Sequence, residues 1–411
     1  MSEWKRYKLK DISSLSNGIN FDKSAYTSGV KLIGVSDFKD RVYPDYDSLQ
    51  EVDSKVVRSG DYLEKGDIVF VRSNGNKELV GRCMMIDSDI PVTFSGFCIK
   101  LHLNDKNSFE PVYFNYLFRT RQFKKSMTST AVGANIQNLS QSRLGNCEVS
   151  IPDIDTQKRI AIILSRYDSL IENYKQQISL LEESAQRLYK EWFVDLHFPG
   201  HENTKIVDGV PEGWEKKKVG ELISKVQRTK QVPTNCYQKN GSIPIIDQSK
   251  NYIAGYTDDR ECLVIVNIPY IVFGDHTRIL KYIPFSFAKG ADGTQLIVSN
   301  DLKRMPQSLF YNSLTNIDLS NYSYARHYKY LKEELIYLPS EVLGTKYDIV
   351  ASKWYETIQL YRNNILLLTE ARDRLLPKLM SGEISVETAQ SVTSGLGVRK
   401  EQTGSPKPSD S

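Results

Sequence analysis

Arg72-Ser-Asn-Gly-Asn-Lys77 sets a guanidinium, two carboxamides and an ammonium group on a glycine turn directly after an apolar run, Ile68-Val-Phe-Val71. Arg and Asn carry paired hydrogen-bonding groups that match guanine and adenine edges, so Arg72, Ser73, Asn74, Asn76 and Lys77 are candidates for reading a DNA groove. A second polar loop, Gly133-Ala-Asn-Ile-Gln-Asn138, follows a Ser/Thr-rich stretch from Ser126 and adds Asn135, Gln137 and Asn138. Aligning Ile271-Val-Phe273 with Ile68-Val-Phe70 puts Gly274-Asp-His-Thr-Arg278 where Val71 to Gly75 stands, making His276, Thr277 and Arg278 the corresponding candidates. Farther on, Tyr322-Ser-Tyr-Ala-Arg-His-Tyr-Lys-Tyr330 interleaves cations with tyrosines, a mix suited to backbone contact and stacking through Tyr324, Arg326 and Lys329. Lys124, Lys125 and Arg143 could hold phosphates. The plain alternative for each loop is a turn with solvated polar side chains, and for the tyrosine segment a buried aromatic cluster with surface cations.

Catalytic signals are weaker. Asn267-Ile-Pro-Tyr270 is one residue from the Asn-Pro-Pro-Tyr motif with which adenine methyltransferases hold the target amino group, but Ile268 replaces the first proline and no glycine-rich cofactor loop precedes it. His197 and His201 stand four apart, yet Pro199 and Gly200 prevent the single helical face that zinc ligation by such a pair requires. In Pro152-Asp-Ile-Asp-Thr-Gln-Lys158 the carboxylate-to-lysine spacing is wrong for a nuclease, and Asp153 and Asp155 more naturally start a helix, where acidic groups favour the positive end of the dipole. There is no Walker A loop, so ATP-driven translocation is not encoded.

The elements that must position the candidate readers come as a duplication. Residues 151–193 and 338–380 are one segment written twice at a constant offset: Pro152 matches Pro339, Ile171 matches Ile358, Tyr174 matches Tyr361, and Arg187-Leu188 matches Arg374-Leu375. Each copy carries an apolar seam in alternate fours and threes, Ile160, Leu164, Tyr167, Ile171, Tyr174, Ile178, Leu181, Ala185, Leu188 and Trp192 in the first, interrupted in the second only by Arg372. A helix of roughly 39 residues spans about 58 Å and must bridge between bodies. Leu170, Leu180, Leu360, Leu366 and Leu367 lie off the seam and widen the apolar stripe beyond what one partner helix can cover, so with Trp192 and Phe193 they are expected to meet partner subunits.

The globular regions before the helices also begin alike, Trp4-Lys-Arg-Tyr-Lys-Leu9 resembling Trp214-Glu-Lys-Lys-Lys-Val219. Inside them Ile68–Val71, Phe97–Leu101, Tyr270–Phe273 and Gln295–Val298 read as strands bounded by turn residues, and Pro111 to Phe123 shows helical spacing. The expected fold is α+β: two mixed α/β domains separated by two long antiparallel coiled-coil helices in a pseudo-two-fold symmetric repeat.

Composition bounds the rest. The net charge of +4 over 411 residues does not by itself announce nucleic-acid binding, and the small basic excess sits in the globular regions, the first helix being balanced. No run of 18 apolar residues could span a membrane. The five cysteines show no paired spacing and the start has no signal-peptide character, so a cytoplasmic, reduced protein without structural metal is expected.

Two Trp-led regions, two repeated helices, the closing phrases Leu188-Tyr-Lys-Glu-Trp-Phe-Val-Asp195 and Leu375-Leu-Pro-Lys-Leu-Met-Ser-Gly-Glu-Ile384, and Gly66-Asp-Ile-Val-Phe-Val-Arg-Ser-Asn-Gly75 together resemble the specificity subunit of type I restriction-modification systems, over residues 3 to about 386. That resemblance implies a non-catalytic reader of double-stranded DNA with a bipartite, asymmetric target, one half-site per target-recognition domain. It implies domains at 1–150 and 213–337, conserved spacer helices at 151–195 and 338–381, a linker at 196–212, and a C-terminal segment at 382–411, disordered from about 395. Two adenine-N6 methyltransferase subunits would dock on it, restriction-translocase subunits can join, and S-adenosylmethionine, ATP and Mg would sit on those partners, with no cofactor in this chain. The rivals are a coiled-coil adaptor that binds only protein and a self-contained DNA methyltransferase.

Overall fold

The computed structural model describes residues 4–38, 41–74, 79–129, 138–227, 229–322 and 326–393. Asn76, Lys77, Asn135, Gln137, Tyr324 and the tail from about 395 lie outside the described residues. The chain forms two compact units, one of residues 1–172 with 366–411 and one of residues 173–365.

Two long helices, Ile154–Tyr189 and Glu341–Met380, stand where the repeat predicts them, and a π-helical turn, Lys190–Val194, extends the first. Within each unit their contacts run antiparallel. In the first unit Asp168 meets Arg372, and, nearer the start of the first helix, Arg159 meets Glu387 beyond the end of the second. In the second unit the rings of Tyr174 and Tyr361 pack with centroids 4.9 Å apart, and the Tyr347 hydroxyl donates to the Ala185 carbonyl at 3.2 Å. Seam residues Ile160, Leu164, Tyr167, Ile171 and Ala185 on the first helix, and Tyr347, Ala351, Ile358, Leu368 and Leu379 on the second, are buried, which is what the four-three spacing requires.

Each long helix starts just after its proline on a side-chain cap. Asp153 accepts the Thr156 N–H at 2.9 Å, which holds its carboxyl below the usual carboxylate range, and Ser340 Oγ accepts the Leu343 N–H at 3.4 Å. At the repeat-equivalent positions Gln157 and Gly344, the two helices join their heads differently. Buried Gln157 accepts the Glu110 N–H at 3.0 Å and donates to the Ser108 carbonyl at 3.1 Å. Gly344 has no side chain because a Cβ there would stand 2.5 Å from the Arg304 carbonyl oxygen.

The two heads share a strand plan. In the first, Lys5–Lys8 pairs antiparallel with Glu148–Ile151; Tyr26–Ile33 pairs antiparallel with Gln50–Val52 and parallel with Val92–Phe94; and Ile68–Val71 lies between Cys83–Met85 and Cys98–Leu103. In the second, Glu215–Lys218 pairs with Leu335–Leu338; Ile243–Ile246 pairs antiparallel with Gly255–Thr257 and parallel with Phe287–Lys289; and Tyr270–Gly274 lies between Leu280–Ile283 and Thr294–Ile297. The duplication therefore extends through the heads, although their sequences have diverged nearly beyond recognition. Extra strands differ: Ser13–Asn17 joins Cys98–Leu103 in the first head, and Leu263–Val264 joins Phe287–Lys289 in the second.

Two expectations change. The helix over Pro111 to Phe123 is two helices, Pro111–Arg119 and Arg121–Ser129, because Thr120 turns extended and its hydroxyl caps both sides, donating to the Leu117 carbonyl and accepting the Phe123 N–H. The segment at 196–212 is folded rather than a bare linker: Ile206–Val207 and Val210–Pro211 form a small hairpin, and Phe198 is buried with its ring centroid 4.9 Å from that of Trp214. A short helix, Val386–Thr393, follows the second long helix.

Candidate nucleic-acid interface

In the first head the central strand Ile68–Val71 is wholly buried, and the candidate residues begin where it ends. The Arg72 and Ser73 N–H groups both donate to the Phe97 carbonyl, at 2.8 and 3.3 Å, and the Arg72 carbonyl accepts the Leu139 N–H at 2.7 Å. Ser73 also bridges to Asn138. Two polar loops more than sixty residues apart in sequence thus meet: half-buried Arg72, Ser73 and Asn74 on one side, exposed Asn138 on the other. Among the described residues the Arg72 guanidinium reaches the Gly96 carbonyl, at a long 3.5 Å.

The second head puts a shorter turn in the same topological place. Eleven residues, 72–82, join the strands Ile68–Val71 and Cys83–Met85, whereas five, 275–279, join Tyr270–Gly274 to Leu280–Ile283. That turn is closed by Gly274 N–H to the Ile279 carbonyl at 2.8 Å and Arg278 N–H to the Gly274 carbonyl at 2.7 Å. His276, Thr277 and Arg278 are all exposed. Arg278 has φ +62°, a left-handed conformation, and its guanidinium donates to the Leu319 carbonyl at 3.1 Å. Gln248 braces the turn, accepting the His276 N–H at 3.1 Å on its side chain and the Thr277 hydroxyl at 2.7 Å on its carbonyl.

Buried Asp275 ties this turn to the aromatic segment. Its carbonyl accepts the His327 N–H at 2.9 Å and its carboxylate accepts the Tyr328 N–H at 2.8 Å. Tyr322 and Tyr330 stack with centroids 4.0 Å apart, leaving Arg326 and Lys329 exposed at the start of the helix His327–Glu333. Among the described residues, Tyr322, Tyr328 and Tyr330 pack as the alternative of an aromatic cluster has it, while the cations Arg326 and Lys329 stay exposed. Sequence reasoning missed Gln248 and Asp275, which act through their backbone partners; Gly274 and Gly293, where a Cβ would collide with Gln248, were the signal that loops approach closely here.

Of the residues expected to meet partners, Leu170, Leu180, Leu360, Leu366 and Leu367 are exposed, Leu366 and Leu367 by 50% and 64%. Trp192 is half-buried against Tyr347. Phe193 is a correction: at 2% exposure it is core, its ring 5.4 to 5.5 Å from those of Tyr189, Trp214 and Tyr347, and it offers no surface to a partner. Asn267-Ile-Pro-Tyr270 leads into the central strand of the second head, with the Pro269 carbonyl accepting the Gln307 side-chain amide at 2.6 Å. Among the described residues no helix is long and apolar enough to cross a membrane.

Residues 1–183 match the type I restriction modification DNA specificity domain. The chain is 28% identical over 304 residues to the type I restriction enzyme MjaIX specificity subunit of Methanocaldococcus jannaschii, covering 67% of this chain and 69% of that one. It is 26% identical over 384 residues to a second protein of that organism, named provisionally as the type I restriction enzyme MjaX specificity subunit, covering 87% and 82%. Its fold resembles the crystal structure of a type I restriction-modification system S subunit from M. genitalium, with a TM-score of 0.60 and 16% identity over 92% of this chain and 96% of that one.

Proposed function

We propose that this chain, like the type I restriction enzyme specificity subunits it is similar to, reads a split, asymmetric DNA target, each head selecting one half-site, and performs no chemistry itself. The observation that carries this is the pair of unlike turns on like frames. The same three-stranded arrangement presents Arg72, Ser73, Asn74 and Asn138 in one head and His276, Thr277 and Arg278 in the other. A common scaffold with different donor sets is what two different base sequences would demand, since specificity comes from groove-edge contacts and positioning from phosphate contacts. Arg326, Lys329 and, on the first head, Lys124 are exposed cations that would make the phosphate contacts in this reading.

Exposed leucines on the long helices support docking of methyltransferase subunits, Leu366 and Leu367 with Leu170 in the first unit, Leu180 and Leu360 in the second. In this reading two methyltransferases bind, restriction subunits can add to them, and S-adenosylmethionine, ATP and Mg belong to those partners in the cytoplasm.

Methylome sequencing of cells that express this chain with its methyltransferase tests the reading. A split motif should appear, and exchanging residues 4–151 for another first head should change one half of it alone. Both halves changing together, or neither, would overturn the assignment.

A further inference from the structure

Phe97 is 62% exposed, the largest exposure of any phenylalanine among the described residues with large apolar surfaces in water. It is also held in place. The turn Ser95-Gly96-Phe97 joins the parallel-paired strand Val92–Phe94 to Cys98–Leu103, and the Cys98 N–H closes it on the Ser95 carbonyl at 2.8 Å. Ser95 Oγ accepts the Phe97 N–H at 3.3 Å, and the Phe97 carbonyl takes the N–H groups of both Arg72 and Ser73. Glycines let the neighbouring chain close in: a Cβ on Gly96 would stand 2.1 Å from Asn20 Oδ1, and one on Gly18 would stand 2.2 Å from the Phe94 carbonyl oxygen. The ring therefore projects from a backbone fixed on every side, directly beside the end of the strand that carries the candidate reading loop.

Its surroundings select the occupant. The Phe97 carbonyl holds the N–H groups of Arg72 and Ser73, the Arg72 guanidinium donates to the Gly96 carbonyl at 3.5 Å, Asn20 lies against Gly96, and Ser73 bridges to Asn138, so the turn that carries the ring stands among polar candidate reading residues. A protein partner would call for a contiguous apolar patch. A nucleobase presents a flat apolar face with hydrogen-bonding edges, and aromatic or apolar side chains set against base steps unstack them at a cost recovered by stacking. We propose that Phe97 stacks on a base at the edge of the half-site read by the first head, opening that step of the duplex; this rests on the DNA-reading function proposed above. The second head has no counterpart, since the corresponding turn between Phe287–Lys289 and Thr294–Ile297 is Gly290-Ala-Asp-Gly293. The distortion is confined to one half of the target.

The test uses the full chain and duplexes bearing the sequence it selects from a randomised pool, with 2-aminopurine placed singly at successive positions. Binding of the unaltered chain should raise fluorescence at one step in the first half-site and none in the second. Phe97→Ala should abolish that rise and weaken binding roughly tenfold, while Phe97→Trp should keep both. An unaltered melting temperature is expected for each variant, because the ring touches water. Selection of a sequence by the unaltered chain, with Phe97→Ala binding it equally and giving the same fluorescence, overturns the stacking role and leaves the reading function intact. Loss of methyltransferase co-purification with the fluorescence rise retained would assign the ring to a protein partner and also overturn it. Failure of the unaltered chain to select any sequence overturns both.

Discussion

Asp168 on the first long helix accepts a hydrogen bond from the guanidinium of Arg372 on the second, and its other carboxylate oxygen accepts one from the Tyr116 hydroxyl of the first head. The repeat offset carries Asp168 to Tyr355 and Arg372 to Ala185, so the other unit has a tyrosine and an alanine at the equivalent pair. Tyr116 corresponds to Asn312 when the helices Pro111–Arg119 and Gln307–Thr315 are matched from their first residues. There the Tyr355 hydroxyl donates to Asn312 at 2.9 Å. The head-to-helix link is kept in both units with donor and acceptor exchanged.

Arg372 breaks an apolar seam, yet replacing it with leucine should not repair the helix pair. The side chains of Arg372 and Asp168 are only 21% and 12% exposed, so Arg372→Leu strands a carboxylate and is expected to cost about 2 kcal/mol, less than the full loss of a deeply buried partner. Urea unfolding should show this, with the double variant Asp168→Asn, Arg372→Leu recovering most of the loss. Additive losses would mean that the two groups do not interact.

Asp153→Ala should remove a helix cap worth about 1 kcal/mol at neutral pH. In the fold the Thr156 N–H lowers the carboxyl below its ordinary value of 3.8, so the unfolded chain takes up the proton first. The cap's contribution is therefore complete above the ordinary value and disappears as pH falls through the lower, folded one. Melting temperatures of the two proteins should converge on acidification; a constant difference down to pH 2 would speak against an ionised cap.

Arg72→Ala should relax one base position in the first half-site by about 1–3 kcal/mol and leave the second half-site unchanged. Arg278→Gly should do the converse. Glycine suits the left-handed backbone there, so the fold should tolerate it despite the lost bond to the Leu319 carbonyl. Competition binding with singly substituted duplexes distinguishes these outcomes from a uniform weakening, which would indicate phosphate contacts instead.

Leu366→Lys with Leu367→Lys should leave the melting temperature almost unchanged and abolish co-purification of the methyltransferase. Phe193→Ala should do the reverse in its first effect, destabilising the second unit by about 3–5 kcal/mol, because it empties the centre of an aromatic cluster. Undiminished co-purification of the leucine variant would remove the helices from the docking surface.

The helices were legible because a four-three spacing repeated at one offset has few other meanings, and the central strands because turn residues bound them. What escaped depended on tertiary partners. Phe193 and Leu367 are both large and apolar, and only packing separates a core ring from an exposed leucine. Arg372 looked like a defect until Asp168, about two hundred residues earlier, was found opposite it. Phe97 read as the start of a strand, since the alternation of Cys98–Leu103 runs back into it, and the Ser95-Gly96 turn is fixed by contacts to Asn20 and Arg72 that no local pattern announces. Among the candidate readers, the spacing of Ile68–Phe70 and Ile271–Phe273 sufficed to align the two heads, whereas the meeting of Asn138 with Ser73 required the fold.

Lys5–Lys8 and Glu148–Ile151 are neighbours, as are Glu215–Lys218 and Leu335–Leu338. Each head thus enters and leaves at a single hem, like a pocket sewn to a seam. A genetic cassette spanning those strands could be inherited from elsewhere and spliced in with both cut ends already side by side, so new recognition can be acquired by recombination without rebuilding whatever the rest of the chain grips.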